Sequence, residues 1–215
     1  MSDEEVEFPE GLVAVGGSLD PDLLLDAYRT GIFPWSSDPA LTWWSPDPRA
    51  IFDLETFRPH RSVMRTARRC GWRFAVDSDF AGVIRRCAEP TPERPATWIT
   101  TDFMASYGEL YRRGHAHSVE VYEGDELVGG LYGVAIGAFF GGESMFHRRT
   151  DASKAAVAYL VSRLRAGGFT LLDAQMPTPH LARLGTVNIP RAEYLARLRA
   201  ALPQPASLRE ASGAG

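Results

Sequence analysis

Apolar and polar positions follow two different textures along the chain, and the change falls near residue 115. Before it, short apolar clusters are interrupted by Pro, Gly and Arg. Residues 23–28 follow Asp20 and Pro21, the start signals of a helix, and are predicted to form one. Residues 62–70 and 80–87 read as two more short helices, and 102–113 as a longer one that stops at Gly114. Residues 31–48 are different: they carry Phe33, Pro34, Trp35, Trp43, Trp44, Pro46 and Pro48. Prolines at that density argue against a helix or a central strand, so this stretch is expected to be an ordered loop pinned by large rings. Residues 1–10 read as a loose lead-in, and 89–96 as a proline-interrupted loop leading to Trp98.

After residue 115 the period shortens to two. Residues 118–122 and 127–135 are predicted strands around the turn Glu123-Gly124-Asp125-Glu126, and 138–145 a third after Gly137. An amphipathic helix over 153–166 ends at Gly167-Gly168, followed by a strand over 169–174 and a helix over 191–202. Antiparallel strands, then a helix, then a strand make an α+β layer. The expected architecture is a smaller N-terminal α/β domain over 1–114 and a C-terminal mixed sheet over 115–215.

Composition narrows the class. A chain of 215 residues, 45% hydrophobic, buries a substantial core. The longest apolar run, around 129–140, holds four glycines and a tyrosine, far from the roughly 18 unbroken apolar residues of a membrane span. The opening MSDEEVEFPE is acidic where a signal peptide is basic and then apolar. Both features predict a cytoplasmic protein with no membrane partner. Cys70 and Cys87 have no metal-type spacing and read as reduced thiols.

The whole chain carries a net charge of −4, which at first disfavours nucleic acid. Between Arg58 and Arg73, however, stand six arginines and no acid, so the remainder carries −10. Arg61, Arg65, Arg68 and Arg69 fall at i, i+4, i+7 and i+8 and share one helix face. Such segregation suits phosphate binding, because the local field outweighs the total.

Three features could carry chemistry. Glu143, inside the apolar, glycine-rich Gly141-Gly-Glu-Ser-Met-Phe146, is costly unless something pairs with it, and the glycines let a ligand approach. The bland alternative is an internal ion pair with Arg148 or Arg149. Asp173 and Gln175 lie two residues apart at a strand end and share one face. Asp173 could accept from the Gln175 amide and fix its rotamer; alternatively the pair caps the turn over 177–180. Trp35 and Trp98 sit in loops and could stack on bases, whereas Trp43, Trp44 and Trp72 read as packing. The five histidines lack zinc-type spacing with a carboxylate and read as structural. No Gly-x-Ser-x-Gly, Walker or dinucleotide pattern is present.

Taken in order, Gly31-Ile-Phe-Pro-Trp35, Trp43-Trp-Ser-Pro-Asp-Pro-Arg49, Thr97-Trp-Ile99, Gly114-His-Ala-His-Ser118, Leu127-Val-Gly-Gly130, Gly142-Glu-Ser-Met-Phe146, Ala152-Ser-Lys154 and Asp173-x-Gln175 resemble the leucyl/phenylalanyl-tRNA–protein transferases, from about Phe8 to Leu202. The resemblance implies an acetyltransferase-like C-terminal domain and a smaller N-terminal one. It implies a monomeric enzyme moving Leu, Phe or less readily Met from tRNA to proteins that begin with Arg or Lys, marking them for degradation. By the same analogy Trp35 and Trp98 hold the terminal adenosine, Glu143 lies in the substrate site, Phe140 and Met145 line the amino-acid pocket, and Asp173 and Gln175 are catalytic. Arg61, Arg65, Arg68 and Arg69 then contact tRNA phosphates. This sequence departs from the pattern at Leu131, His147 and Ala174, where Met, Ser and Cys are expected.

An aminoacyl ester is already activated, so no ATP, other cofactor or metal is expected. Two rivals remain at this point. A coenzyme-A-dependent acetyltransferase should carry a glycine-rich phosphate turn where this chain reads His147-Arg-Arg-Thr-Asp-Ala-Ser153. A non-catalytic tRNA-binding module accounts for the arginines and tryptophans but not for Glu143 with Asp173 and Gln175.

Overall fold

The computed structural model describes residues 10–37, 40–91 and 95–208. The first half runs β1 (Leu12–Val15), α1 (Pro21–Arg29), β2 (Phe33–Ser37), β3 (Ala40–Trp44), β4 (Arg49–Phe52), α2 (Arg61–Arg69), β5 (Arg73–Val76), α3 (Phe80–Ala88) and α4 (Thr101–Arg112). The second runs β6 (Ala116–Glu123), β7 (Glu126–Ile136), β8 (Phe139–His147), α5 (Ala152–Ala166), β9 (Leu171–Gln175), α6 (Pro179–Leu184), β10 (Val187–Ile189) and α7 (Arg191–Ala201).

Local signals account for the helices. Asp20 accepts from the Asp22 and Leu23 amides and starts α1, Asp79 accepts from Gly82 to start α3, and Thr100 caps α4. The α4 chain leaves its helix at Gly114, whose φ of 78° is cheap for glycine alone.

Two sheets form. A small antiparallel one has the order β1-β3-β2, and a seven-stranded mixed one the order β10-β4-β9-β8-β7-β6-β5. The α+β, mixed-sheet architecture is the one expected. The expected ordered loop over 31–48 is instead the hairpin β2–β3. Pro34 is tolerated because β2 is an edge strand, where a missing N–H leaves no gap in a ladder. The lead-in over 1–9 and residues 92–94 of the expected loop lie outside the described residues.

The boundary expected near residue 115 falls inside the large sheet. β4 and β5, from before it, hydrogen-bond to β9 and β10 and to β6, from after it. Burial explains why: consecutive residues of a strand point to opposite faces, and each face is buried against helices. Ile51, Tyr132, Phe139 and Leu171 pack with α1, α3, α4 and α7, whereas their neighbours Phe52, Leu131, Phe140 and Leu172 pack with α2 and α5.

One place in the sheet is irregular by design. β8 and β9 are the parallel pair, joined through α5, and they meet only at Phe139–Leu171, Phe140–Leu172 and Gly141–Asp173. Beyond those rungs β8 stays with β7 and β9 with β4, so the two strands splay.

Candidate active site

The splay opens into a cavity of about 430 Å³. Its walls are largely apolar, from Trp35, Phe52, Leu131, Met145, Val157, Leu160 and Leu172, and its polar lining includes Glu143, Asp173 and Gln175 together with Ser144, Thr178 and His180. Apolar walls with a few convergent polar groups are the usual form of a small-molecule site.

Glu143 and Gln175 bridge the splay, the Gln175 Nε2 donating to Glu143 Oε1 at 2.8 Å. The Tyr28 hydroxyl donates to the same Oε1 at 2.7 Å and that of Tyr107 to Oε2 at 3.1 Å, while the two hydroxyls lie 2.5 Å apart. Burial pushes Glu143 up to about 7, against the pull of these two hydroxyls, and the nearby Asp173 adds to the rise. Burial likewise holds both tyrosines above their ordinary range, as proton donors. Arg148 and Arg149 pair instead with Glu89, Glu123 and Glu126, so the bland ion-pair reading of Glu143 is set aside.

It is Glu143, not Asp173, that accepts from the Gln175 side-chain amide, and Asp173 is 1% exposed. Its Oδ1 accepts from the Gln175 backbone N–H at 2.8 Å and from Arg49 Nε at 2.9 Å, and its Oδ2 accepts from Arg49 Nη2 at 2.6 Å and from Tyr194 at 3.0 Å. The expected side-chain contact between Asp173 and the Gln175 amide is thus corrected: Glu143 holds the amide and Asp173 the backbone. Gln175 has φ 64°, uncommon for a residue with a side chain, and the N–H held by Asp173 supports it. The following turn is capped by Thr178, which accepts from Leu181, so Asp173 and Gln175 are not its caps.

Trp35 and Trp98 pack against one another, centroids 5.5 Å apart and planes tilted by 33°. Met145 lines the cavity, but Phe140 is fully buried beneath it against Phe169. Arg61, Arg65, Arg68 and Arg69 are exposed on α2 and are not among the residues lining the cavity, and Arg61, Arg65 and Arg68 flank a second hollow with Pro59 and Met64. His117 is structural, its Nδ1 2.8 Å from Asp77 Oδ2, and neither Cys70 nor Cys87 is in a disulfide.

Four residues of the site escape the sequence reading: Tyr28, Tyr107, Arg49 and Tyr194. The tyrosines look like helix core, and nothing local betrays their hydroxyl partners. Arg49 had a signal of the kind that marks Glu143: a charge heading the apolar run Ala50-Ile-Phe52 of a buried strand.

Comparison with known proteins follows the same outline. The model of the leucyl/phenylalanyl-tRNA–protein transferase N-terminal domain matches residues 17–47, and that of leucyl/phenylalanyl-tRNA–protein transferase matches 51–199. Both describe group transfer, so the chain is an aminoacyltransferase. A leucyl/phenylalanyl-tRNA–protein transferase of Shewanella denitrificans is 54% identical over 192 residues, 88% of this chain and 81% of that one. One from an Anaeromyxobacter species is 52% identical over 199 residues, 92% and 85% of the two. The chain belongs to the leucyl/phenylalanyl-tRNA–protein transferase family. Among solved structures, L-PGS from Bacillus licheniformis is similar at a TM-score of 0.45 and 14% identity, over 76% of this chain and 54% of that one. A GCN5-related N-acetyltransferase-like protein from Streptococcus suis is similar at 0.37 and 12%, over 78% and 63%. Likenesses at that level support no argument about this chain. No helix among the described residues is long and apolar enough to cross a membrane.

Proposed function

We propose that the chain transfers Leu or Phe, and less readily Met, from aminoacyl-tRNA to the α-amino group of proteins beginning with Arg or Lys, in the cytoplasm and as a monomer, committing them to degradation. The single observation that carries this reading is the Glu143–Gln175 bridge in the wall of an apolar cavity. The apolar walls, Met145 among them, take the donor side chain. Trp35, which lines the cavity and packs on Trp98, takes the terminal adenine together with it. Arg61, Arg65, Arg68 and Arg69 take acceptor-stem phosphates. The tRNA end is thus handled mainly by residues before 115, and chemistry by Glu143, Asp173 and Gln175 after it.

The ester is activated already, so the protein's task is placement. With ionised Glu143 holding the Gln175 Nε2, the amide oxygen is the end left to accept from the attacking amine. Such amines titrate at about 7.7–8.0 and are partly neutral near pH 7. Asp173 acts one step removed, by fixing the backbone on which Gln175 stands. The coenzyme-A rival is disfavoured by the turn before α5, where Asp151 stands at the helix start and pairs with Lys154. The test is the mass of a peptide starting with Arg after incubation with Leu-tRNA. A gain of one leucine is expected, and an unchanged mass with tRNA still bound would leave a binding module.

A further inference from the structure

Arg49 is 1% exposed and lies between the rings of Phe33 and Tyr194, its guanidinium carbon 4.7 and 4.4 Å from their centroids. Burial works against its charge, but Asp173 outweighs that and holds the guanidinium protonated. A buried guanidinium is expensive unless its donors are used, and here they go to Asp173, to the Gly31 carbonyl and, from Nη2 at 3.3 Å, to the Tyr194 hydroxyl. Nε and Nη2 grip both oxygens of Asp173. Nη1 donates to the Gly31 carbonyl at 3.1 Å. Gly31 has φ 80°, a conformation that side-chain-bearing residues rarely adopt, so this turn favours glycine. It is the first residue of the segment that delivers Trp35, and Phe33 of the same segment lies under the guanidinium.

We propose that Arg49 is a positioning residue that locks the segment from Gly31 to Trp35 onto the strand end carrying Gln175. Donor seating and the transfer step thereby share one strut. The proposal rests on the aminoacyl-transfer reading above. Neutralising Asp173 needs only a cation, but the second attachment, to Gly31, needs the planar fork and its third donor. Lysine offers a point charge instead. Arg49→Lys therefore keeps the charge and loses the lock.

Two quantities test it: equilibrium binding of a puromycin-type adenosine analogue, and single-turnover Leu transfer to an Arg-starting peptide. Gln175→Ala is expected to lower the rate alone and Trp35→Ala the affinity alone. Arg49→Lys is expected to lower both, the rate by about 100-fold, as misplacement of a reacting group by about 1 Å does. Should Arg49→Lys not fold, Arg49→Met with Asp173→Asn removes both buried charges together, and the loss of analogue affinity is expected there too. A folded variant with unchanged affinity, or with an unchanged rate, overturns the lock. Wild-type protein that binds the analogue but transfers nothing overturns the functional reading and leaves the lock to the binding arm. Wild-type protein that binds no analogue overturns both.

Discussion

Two regions of this molecule handle charge in opposite ways. Inside, Arg49 and Asp173 are each 1% exposed, and Glu143 is held by Tyr28, Tyr107 and Gln175. On α2, Arg61, Arg65, Arg68 and Arg69 face water over a helix whose buried residues are Val63 and Ala67. A buried charge must be satisfied by the protein itself, so its geometry is fixed and its partners are specific. A solvated charge contributes little until a ligand of opposite sign arrives, and then it contributes mainly a field. The interior therefore suits chemistry and the helix face suits attraction, and each can be challenged separately.

The largest effect is expected at Asp173. Asp173→Asn leaves Arg49 buried without a counter-charge, so unfolding free energy in urea should drop by about 3–5 kcal/mol. A drop under about 1 kcal/mol would mean that the interior charge is no more demanding than a surface one. Gln175→Ala should leave stability nearly alone but slow single-turnover transfer by about 10²–10³-fold, the cost of losing one positioned hydrogen-bonding group. Full activity in that variant would shift the work to the substrate's own ribose hydroxyl.

The core and the cavity wall should separate next. Phe140→Ala should destabilise the fold by about 3–5 kcal/mol, as buried Phe truncations do. Met145→Ala should keep the fold and cost Leu transfer about 1–3 kcal/mol relative to Phe. Donor choice altered by Phe140→Ala in a still-folded protein would return that residue to the pocket.

A smaller, pH-dependent effect belongs to Glu143. Because burial pushes it up to about 7, its carboxylate takes up a proton just below neutrality and no longer fixes the Gln175 amide. Below that point transfer should lose about tenfold per pH unit on top of the acceptor amine's own tenfold, about a hundredfold in all, and Glu143→Gln should remove the added limb while leaving the amine's limb near 8. The sign for stability is the reverse of the usual carboxylate case. The folded state binds the proton more tightly than the unfolded chain, whose glutamates titrate near 4.5, so stability declines as pH rises from there towards 7.

The smallest effect per residue lies on α2. Arg65→Ala and Arg68→Ala should weaken binding of any tRNA alike, each reducing the log–log salt slope by about one unit. A slope that does not move would make the stripe an ordinary solvated face.

The same contrast decides what could be read from the sequence. The arginine face was legible because its spacing alone places four guanidinium groups on one side of a helix. Glu143 was legible as a carboxylate among glycines and apolar residues, and Asp173 with Gln175 as a period-two pair at a strand end. What those residues touch was not legible. Tyr28 and Tyr107 are 79 positions apart and meet only because α1 and α4 pack on the same face of the sheet. The hairpin at Pro34 depended on β2 being an edge strand, a property of the assembled sheet. The pairing of β4 with β9 across residue 115 was not legible for a similar reason, since it leaves no trace in either segment's own pattern.

That pairing has a consequence during synthesis. Arg49 and Asp173 are 124 positions apart, and β10 and α7 follow later still. At about 5–20 residues per second a ribosome takes roughly 6–25 s to supply the aspartate after the arginine. Through that interval β4 lacks both of its partner strands, and its Ala50-Ile-Phe52 run has no sheet to join. A charged residue at the head of such a run discourages premature pairing between nascent chains. Arg49, buried in the finished fold, thus heads its own strand with a charge until β9 and β10 have been made.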